Sequence, residues 1–335
     1  MADAPLILAG DLGGTNFRVA LFRGDAEMTR VRFEQYRSAD HRSLEEMVNL
    51  FLNGIAPLPS PVSTACFGVP GPNVAGIVKA SNLGWSIELN KLPHLLGIPR
   101  VAVLNDLEAT AYGLAALKQN DFALIQAGSG TCAGNQCVIA PGTGLGEAGL
   151  FWDGTRHTPW ACEGGHADFA STNDLQHELL AFLRREYGSV SFERVVSGIG
   201  IANIYRFLRD TGRGKEDPGV AAEMLAGDAG AVIDKHAGDG SCPLCRSTMD
   251  LFVQSLGSEA SNLALKTMAT GGVFLGGGIP PKILPLLRRP LFLESFLNKG
   301  RLRPLLETMP IRVVLNDEAA LLGAAKYAFR MLETR

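Results

Sequence analysis

Gly10-Asp11-Leu12-Gly13-Gly14-Thr15-Asn16 and Pro141-Gly142-Thr143-Gly144-Leu145-Gly146 are two glycine turns flanked by strand-like runs. Missing side chains let backbone N–H groups converge on an anion, as in phosphate-binding nests. Each turn also offers a Thr hydroxyl, Thr15 and Thr143. One such turn alone reads equally well as a tight hairpin that needs positive φ; two of them favour phosphate. No G-x-x-x-x-G-K-[ST] occurs, so the chain is not a P-loop enzyme. Gly144-Leu145-Gly146-Glu147-Ala148-Gly149 does match G-x-G-x-x-G, but Gly149 to Trp152 reads as strand where a dinucleotide site needs a helix.

Asp11 stands in the first turn with no lysine beside it. A carboxylate next to a polyphosphate makes sense with a hard cation between them, which points to Mg²⁺, held indirectly; a plain turn aspartate is the competing account. Asn105-Asp106 follows the apolar run Val101 to Leu104, at the strand end where ligands gather in open α/β sheets. The pair would cap the helix that follows. It would also let Asp106 accept the proton of an attacking hydroxyl while Asn105 holds a neighbouring one. Glu163-Gly164-Gly165-His166 puts an acid and an imidazole around two glycines, which disfavour helix and suit a binding loop. A neutral polyol, each hydroxyl needing a donor or acceptor, accounts for that pairing. Glu193 reads as a first-turn acid of a helix capped by Ser191. Gly276-Gly277-Gly278 would let an adenine ring or ribose lie flat against backbone, with Pro280 and Pro281 placed as at a helix start. Cys242-Pro243-Leu244-Cys245 is a lone C-x-x-C, read as two free thiols where a loop enters a helix.

The elements that must position these groups alternate in the α/β manner. Strands are expected at 6–9, 18–23, 64–69, 101–104, 123–126, 136–140, 273–275 and 311–315, and helices at 43–53, 108–118, 174–187, 201–211, 249–268 and 318–332. Leu44, Met47, Val48 and Phe51 share one helical face. Residues 212–247 read as a polar Gly/Asp-rich stretch. Two echoes run through the chain. LILAGDLGGTNFRVALF (6–22) and CVIAPGTGLGEAGLFW (137–152) both read strand, turn, strand. VLNDLEATAYGLAA (103–116) returns as VLNDEAALLGAA (314–325). Two related α/β lobes are implied, with the last helix able to return to the first lobe.

The 335 residues suggest about two domains. Thirty-one basic against 34 acidic side chains, net −3, leave no electrostatic footprint for nucleic acid. No run is long and apolar enough to span a membrane, and the N-terminus lacks signal-peptide features. Cys66, Cys132, Cys137, Cys162, Cys242 and Cys245 are scattered as in a reducing, cytoplasmic protein. Glycine is in surplus, 39 residues, and many sit in the segments above.

As a set these segments resemble the bacterial glucokinase family, within the sugar kinases and actin-like ATPases, nearly end to end. GDLGGTN (10–16) resembles its first phosphate motif, APGTGLG (140–146) its second, and FLGGGI (274–279) its adenosine motif. VLND (103–106) resembles the catalytic segment, and CEGGHADF (162–169) and SFERVVSG (191–198) the sugar segments. The resemblance implies an α/β, two-lobed actin-like ATPase (ribonuclease H-like) fold, each lobe a mixed sheet flanked by helices, with the active site in the cleft between them. The small lobe would comprise 1–116 plus 315–335, and the large lobe 117–314. It implies ATP-dependent phosphorylation of glucose to glucose 6-phosphate, with Asp106 as base and Asn105, Glu163, His166 and Glu193 as sugar ligands. Gly10, Asp11, Leu12, Gly13, Gly14, Thr15, Gly142, Thr143, Gly144, Gly276, Gly277 and Gly278 would bind ATP, and Asp11 would serve Mg²⁺ indirectly. It selects Asn105-Asp106 over Asn316-Asp317 as the catalytic pair and suggests a homodimer. A kinase for another hexose or amino sugar, or a non-catalytic sugar sensor on the same fold, are the alternatives. The C-x-C-G-x-x-G-C loop of the related kinase-repressor group is missing and no helix-turn-helix leads the chain, which argues against a repressor.

Overall fold

Leu6, Leu8 and Leu12 of strand β1 (Leu6–Leu12) pack into one core and Ile7 and Ala9 into another, so the strand is buried on both faces. That is the pattern of a central strand covered by helices on each side. The computed structural model describes residues 4–25, 27–80, 83–129 and 133–333. Cys132 therefore lies outside the described residues; the other five cysteines are free thiols. The chain divides into two units, Met1–Gln119 with Asn316–Arg335, and Asn120–Leu315.

In the first unit β1 is followed by β2 (Asn16–Arg23), β3 (Arg30–Arg37), α1 (Leu44–Gly54) and β4 (Val62–Val69). A small antiparallel sheet of β5 (Asn73–Val74), β6 (Ile77–Ala80) and β7 (Trp85–Glu88) comes next. Then come α2 (Leu92–Leu96), β8 (Arg100–Asn105), α3 (Asp106–Gly113) and, from the far end of the sequence, α12 (Ala319–Glu333). The main sheet has the order β3-β2-β1-β4-β8; β1 pairs β2 antiparallel and β4 parallel. Helix α1 is capped by Ser43, whose Oγ accepts from Glu46 N at 3.2 Å, and buries Leu44, Met47, Val48 and Phe51 against one face. The Ile7/Ala9 face meets Leu321, Ala324, Ala325 and Ala328 of α12. Helices α3 and α12 touch backbone to backbone. A Cβ on Gly113 would lie 1.9 Å from Ala319 O, and one on Gly323 1.8 Å from Ala109 O. The small-residue character shared by the echoed segments 103–116 and 314–325 is thus a packing requirement.

The second unit holds β9 (Phe122–Gln126), β10 (Gln136–Pro141), β11 (Leu145–Trp152), β12 (His157–Cys162), α4 (Asp174–Tyr187), α5 (Gly198–Asp210), α6 (Pro218–Ala226) and α7 (Ala229–Gly238). It continues through α8 (Pro243–Thr267), β13 (Gly272–Leu275), α9 (Leu284–Leu287), α10 (Pro290–Leu297), α11 (Arg303–Glu307) and β14 (Ile311–Val314). Its sheet order is β12-β11-β10-β13-β14-β9. The first five strands repeat the order and the pairing senses of the other sheet. Both sequence echoes fall at equivalent places: β1–β2 matches β10–β11, and β8–α3 matches β14–α12.

Several expectations change. Strand β1 runs on to Leu12, so Gly10, Asp11 and Leu12 are strand residues and only 13–15 turn. The stretch 212–247 contains two helices, α6 and α7. Asp217 and Asp228 cap them, each Oδ1 accepting two amides of the first turn, which offsets the poor helix propensity of the glycines there. Helix α8 starts at Pro243, earlier than expected, because Cys242 Sγ accepts from Cys245 N at 3.2 Å as its cap. The helix after Asn105 gives way to a 3-10 turn at Leu114–Ala116. Pro280 and Pro281 open turns, and α9 begins only at Leu284.

Candidate active site

In the first unit Asp11 continues the row Ile7, Ala9, Asp11 on the face of β1 that meets α12. Opposite it in register on β2 is Arg18, which binds both the carboxylate and the main-chain carbonyl of Asp317. Burial, then the charge of Asp106, then that of Asp317, push the Asp11 carboxyl up to about 6, with Arg18 opposing. Asp106 opens α3 behind the cap residue Asn105. Asn105 Oδ1 accepts from Leu107 N at 2.9 Å and Glu108 N at 3.4 Å; Leu107 N also donates to Asp106 Oδ1 at 2.9 Å. Capping occupies the carbonyl oxygen of the Asn105 amide, and its NH₂ is the end suited to donate to a hydroxyl. Capping and ligand binding are thus compatible at this residue. The second Asn-Asp pair differs: Asn316 Oδ1 accepts from Glu318 N at 2.9 Å, and Asp317 is tied to Arg18.

None of Gly10, Gly13, Gly14, Gly142 or Gly144 takes a positive φ; Gly10 and Gly144 serve space, whereas Gly142 has nothing within 4 Å of a built Cβ. A Cβ on Gly10 would meet Phe17 and Phe67 at 2.6 Å, and one on Gly144 would meet Glu193 Oε2 at 2.4 Å. Nor do all the turn amides converge outward. Gly13 N donates to Asn16 O and Gly142 N to Gly144 O, each at 2.8 Å. Ser38 Oγ braces the first turn by donating to Gly13 O at 2.9 Å.

In the second unit Glu163, His166 and Glu193 come together. His166 Nε2 is 4.0 Å from Glu163 Oε2, and its Nδ1 is 3.9 Å from Glu193 Oε1. Glu193 lies in a 3-10 turn, Phe192–Arg194, where Ser191 makes no side-chain cap bond. The first-turn position stands, but without a side-chain cap from Ser191, and the carboxylate turns elsewhere: Glu193 Oε2 accepts from Leu145 N at 3.0 Å, at the rim of the second glycine turn. The two glycines of 163–166 do not prevent helical backbone, since Gly164–His166 form one 3-10 turn. They allow it to lie flat on β11, where a Cβ on Gly165 would be 2.1 Å from Leu145 O. The flanking Glu163 and His166 side chains remain 55% and 60% exposed, and two carboxylates with an imidazole between them present acceptors and donors for several hydroxyls.

A cavity of about 510 Å³ opens beside this group, lined by Gly142, Thr143, Gly198, Asp228, Asp234, Gly278 and Lys282 among others. Gly278 has nothing within 4 Å of a built Cβ, whereas Gly277, at φ +79°, is wedged against Pro141 O. The cavity thus gathers three of the expected ATP residues, Gly142, Thr143 and Gly278, within the second unit; Gly276 and Gly277 shape the strand end behind it. Its far wall, from α5, α7 and Lys282, was missed by sequence reasoning. Burial pushes the Asp234 carboxyl up there, with Lys282 opposing. The signal available was the Asp-x-Gly cap at 228–230.

Among the described residues no three His, Cys, Asp or Glu side chains cluster as a metal site, and no helix is long and apolar enough to cross a membrane. A family model for glucokinase matches residues 8–331. A protein named glucokinase from Trichormus variabilis is 40% identical, over 97% of this chain and 99% of its own. A solved glucokinase from an Antarctic psychrotroph superposes with a TM-score of 0.83 at 34% identity, over 97% of this chain and 99% of that one. The glucokinase of Balamuthia mandrillaris, solved in complex with glucose, has the same fold, with a TM-score of 0.81 at 23% identity over 97% and 94% of the two chains. With the actin-like ATPase fold in both its sheet orders and its neighbours, the chain belongs to the glucokinase family.

Proposed function

We propose that this protein transfers the γ-phosphoryl group of ATP to the 6-hydroxyl of glucose. The observation that carries the reading is the placing of His166 between the carboxylates of Glu163 and Glu193, beside the second glycine turn. In the reaction Asp106 accepts the proton of the attacking hydroxyl, while the Asn105 amide donates to a neighbouring one. Glu163, His166 and Glu193 hold the remaining hydroxyls. ATP has its adenosine in the cavity against Gly278, and Gly10 to Thr15 and Gly142 to Gly144 are its phosphate segments.

The Asp11 carboxyl fits a cation. It is a hard oxygen donor, its charge is opposed by Asp106 and Asp317, and the lack of a three-residue ligand cluster among the described residues suits Mg²⁺ carried on phosphate oxygens. Bound there, Mg²⁺ supplies charge neutralisation for the transferring phosphoryl group. Removal of the Asp11 charge then has a readout without turnover. A carboxyl held at about 6 instead of the ordinary 3.8 keeps its proton in the folded state where the unfolded chain has lost it. Stability falls as pH rises through that window and stays reduced above it. Asp11→Asn is expected to stabilise the metal-free protein at neutral pH by roughly 2 kcal/mol, read by thermal melts in chelator, and to abolish the gain given by Mg²⁺ with ATP. A variant no more stable than the parent under those conditions would remove the charge conflict at Asp11.

We place the reaction in the cytoplasm, where ATP and free thiols coexist, and expect a homodimer, to be checked by light scattering. The main test is a coupled ADP-release assay across a panel of hexoses and amino sugars. Turnover that depends on glucose above the other sugars is expected. Sugar-independent hydrolysis, or a marked preference for an amino sugar, would overturn the assignment.

A further inference from the structure

Beneath the loop 163–166 lie two acids with no part in the chemistry above. Glu147 and Glu259 are 2% and 0% exposed. Glu147 sits in β11, paired with Ile139 of β10 on one side and Cys162 of β12 on the other. Glu259 faces it from α8, and the two carboxyls are within hydrogen-bonding reach of each other. Glu259 Oε2 accepts from Asn262 Nδ2 at 2.8 Å, Asn262 Oδ1 accepts from Lys299 Nζ at 2.6 Å, and Lys266 Nζ stands 3.9 Å from Glu259 Oε1. Among the described residues the Oε1 atoms of both glutamates otherwise lack a hydrogen-bond partner. Two ionised carboxylates at such range repel; one proton between them removes the repulsion and provides the missing donor.

The pair bears directly on the loop above it. Glu147 Oε2 occupies the space where a Cβ on Gly164 would be, 1.9 Å from it. Gly164 therefore rests on Glu147 as Gly165 rests on Leu145, between the exposed side chains of Glu163 and His166. We propose that the Glu147–Glu259 carboxyl pair is a positioning element for sugar binding: sharing one proton, it keeps Glu147 seated under Gly164 and so fixes Glu163 and His166. This rests on the reading of those two residues as glucose ligands.

The pair is pH-sensitive. Burial, then the Glu259 charge, push the Glu147 carboxyl up to about 8, with Lys266 opposing. Burial raises Glu259 as well, against Asn262, Lys266 and Lys299. The remaining titratable groups facing them are the thiols of Cys137 and Cys162, both pushed up by burial, and Glu163, which acts on Cys162. As pH rises through that range the shared proton is lost, the carboxylates part and Gly164 loses its seat.

The test uses the full chain and its Glu147→Gln and Glu147→Leu variants. Glucose and ATP affinities are measured by calorimetry from about pH 7 to about pH 9. Amide exchange is followed at His166 and Ala167, whose N–H groups donate to Glu163 O and Gly164 O. In the parent, glucose affinity and corrected amide protection are expected to fall about 5-fold across that range, the scale of one lost hydrogen bond, with ATP affinity unchanged. Glu147→Gln keeps the shape, donates to Glu259 and cannot ionise, so its profile stays flat; Glu147→Leu binds glucose weakly throughout. A flat parental profile, or a Gln variant that follows the parent, would overturn the proposal. That comparison decides even if the Leu variant fails to fold. Protection that responds to pH in a parent that binds no glucose would sink the sugar reading while leaving the pair's control of the loop intact.

Discussion

Asp106→Asn is expected to lower kcat on the order of 10³-fold while leaving the KM for glucose within a few-fold of the parent. The asymmetry follows from position. Asp106 sits in the first turn of α3 behind the cap residue Asn105, and a neutral amide keeps both the shape and the acceptor for Leu107 N. What it loses is the ability to take a proton as the hydroxyl attacks. In the proposed site sugar binding rests on Asn105, Glu163, His166 and Glu193, none of which the change replaces. Steady-state kinetics with calorimetric glucose binding check it. Near-parental kcat would remove Asp106 from the base role, and a collapse of glucose affinity would recast it as a sugar ligand. Asp317→Asn is the comparison: it removes an exposed partner of Arg18 and one charge acting on Asp11 but no base, so it should lower kcat far less than Asp106→Asn.

The second large effect is expected from a methyl group. Gly144→Ala places a Cβ where Glu193 Oε2 now lies, 2.4 Å away, and the only movable party is the end of the glutamate side chain. Glu193 must swing out, breaking its bond from Leu145 N and leaving His166 with one carboxylate beside it. Charged hydrogen bonds to a ligand contribute about 1.5–3 kcal/mol, so the KM for glucose should rise on the order of 100-fold, matching Glu193→Ala. Because both changes remove the same carboxylate, the double variant should be no worse than either single one. Additive losses would show that Gly144 acts through the phosphate turn and not through Glu193.

How much of this was legible in the sequence depended on how local the cause was. The glycine turns, Asn105-Asp106 and the Glu163–His166 loop are contiguous segments, and their residue types announce anion, hydroxyl and backbone contact without the fold. The central strands were legible as short apolar runs buried on both faces and α1 by its period-3.6 burial, whereas β3, β5, β6, β7 and β12 were not read. Helices α6 and α7 were not, since glycine and aspartate vote against helix along the chain, although Asp217 and Asp228 act as caps at the helix starts. Pairings between distant segments left no local trace. Asn105-Asp106 and Asn316-Asp317 look alike in sequence, and only the arrival of Arg18 on β2 shows that the second pair has a structural partner. The buried partnership of Glu147 and Glu259 was invisible for the same reason, and Glu147 had passed only as a letter in a decoy glycine motif.

The return of α12 to the first unit sets the order in which the protein can be completed on the ribosome. Sheet β3-β2-β1-β4-β8 is synthesised early, yet the helix that covers its Ile7/Ala9 face emerges after the entire second unit. Until then that face, and the aspartates along its edge, stay unfinished and open to water. The Arg18–Asp317 bridge and the Thr64 hydroxyl bond to Ala328 O form only once translation has passed the last strand. The surroundings of Asp11 and of the proposed base Asp106 are therefore completed last, so a nascent or truncated chain with a folded second unit would carry Glu163, His166 and Glu193 while the first unit is still unfinished.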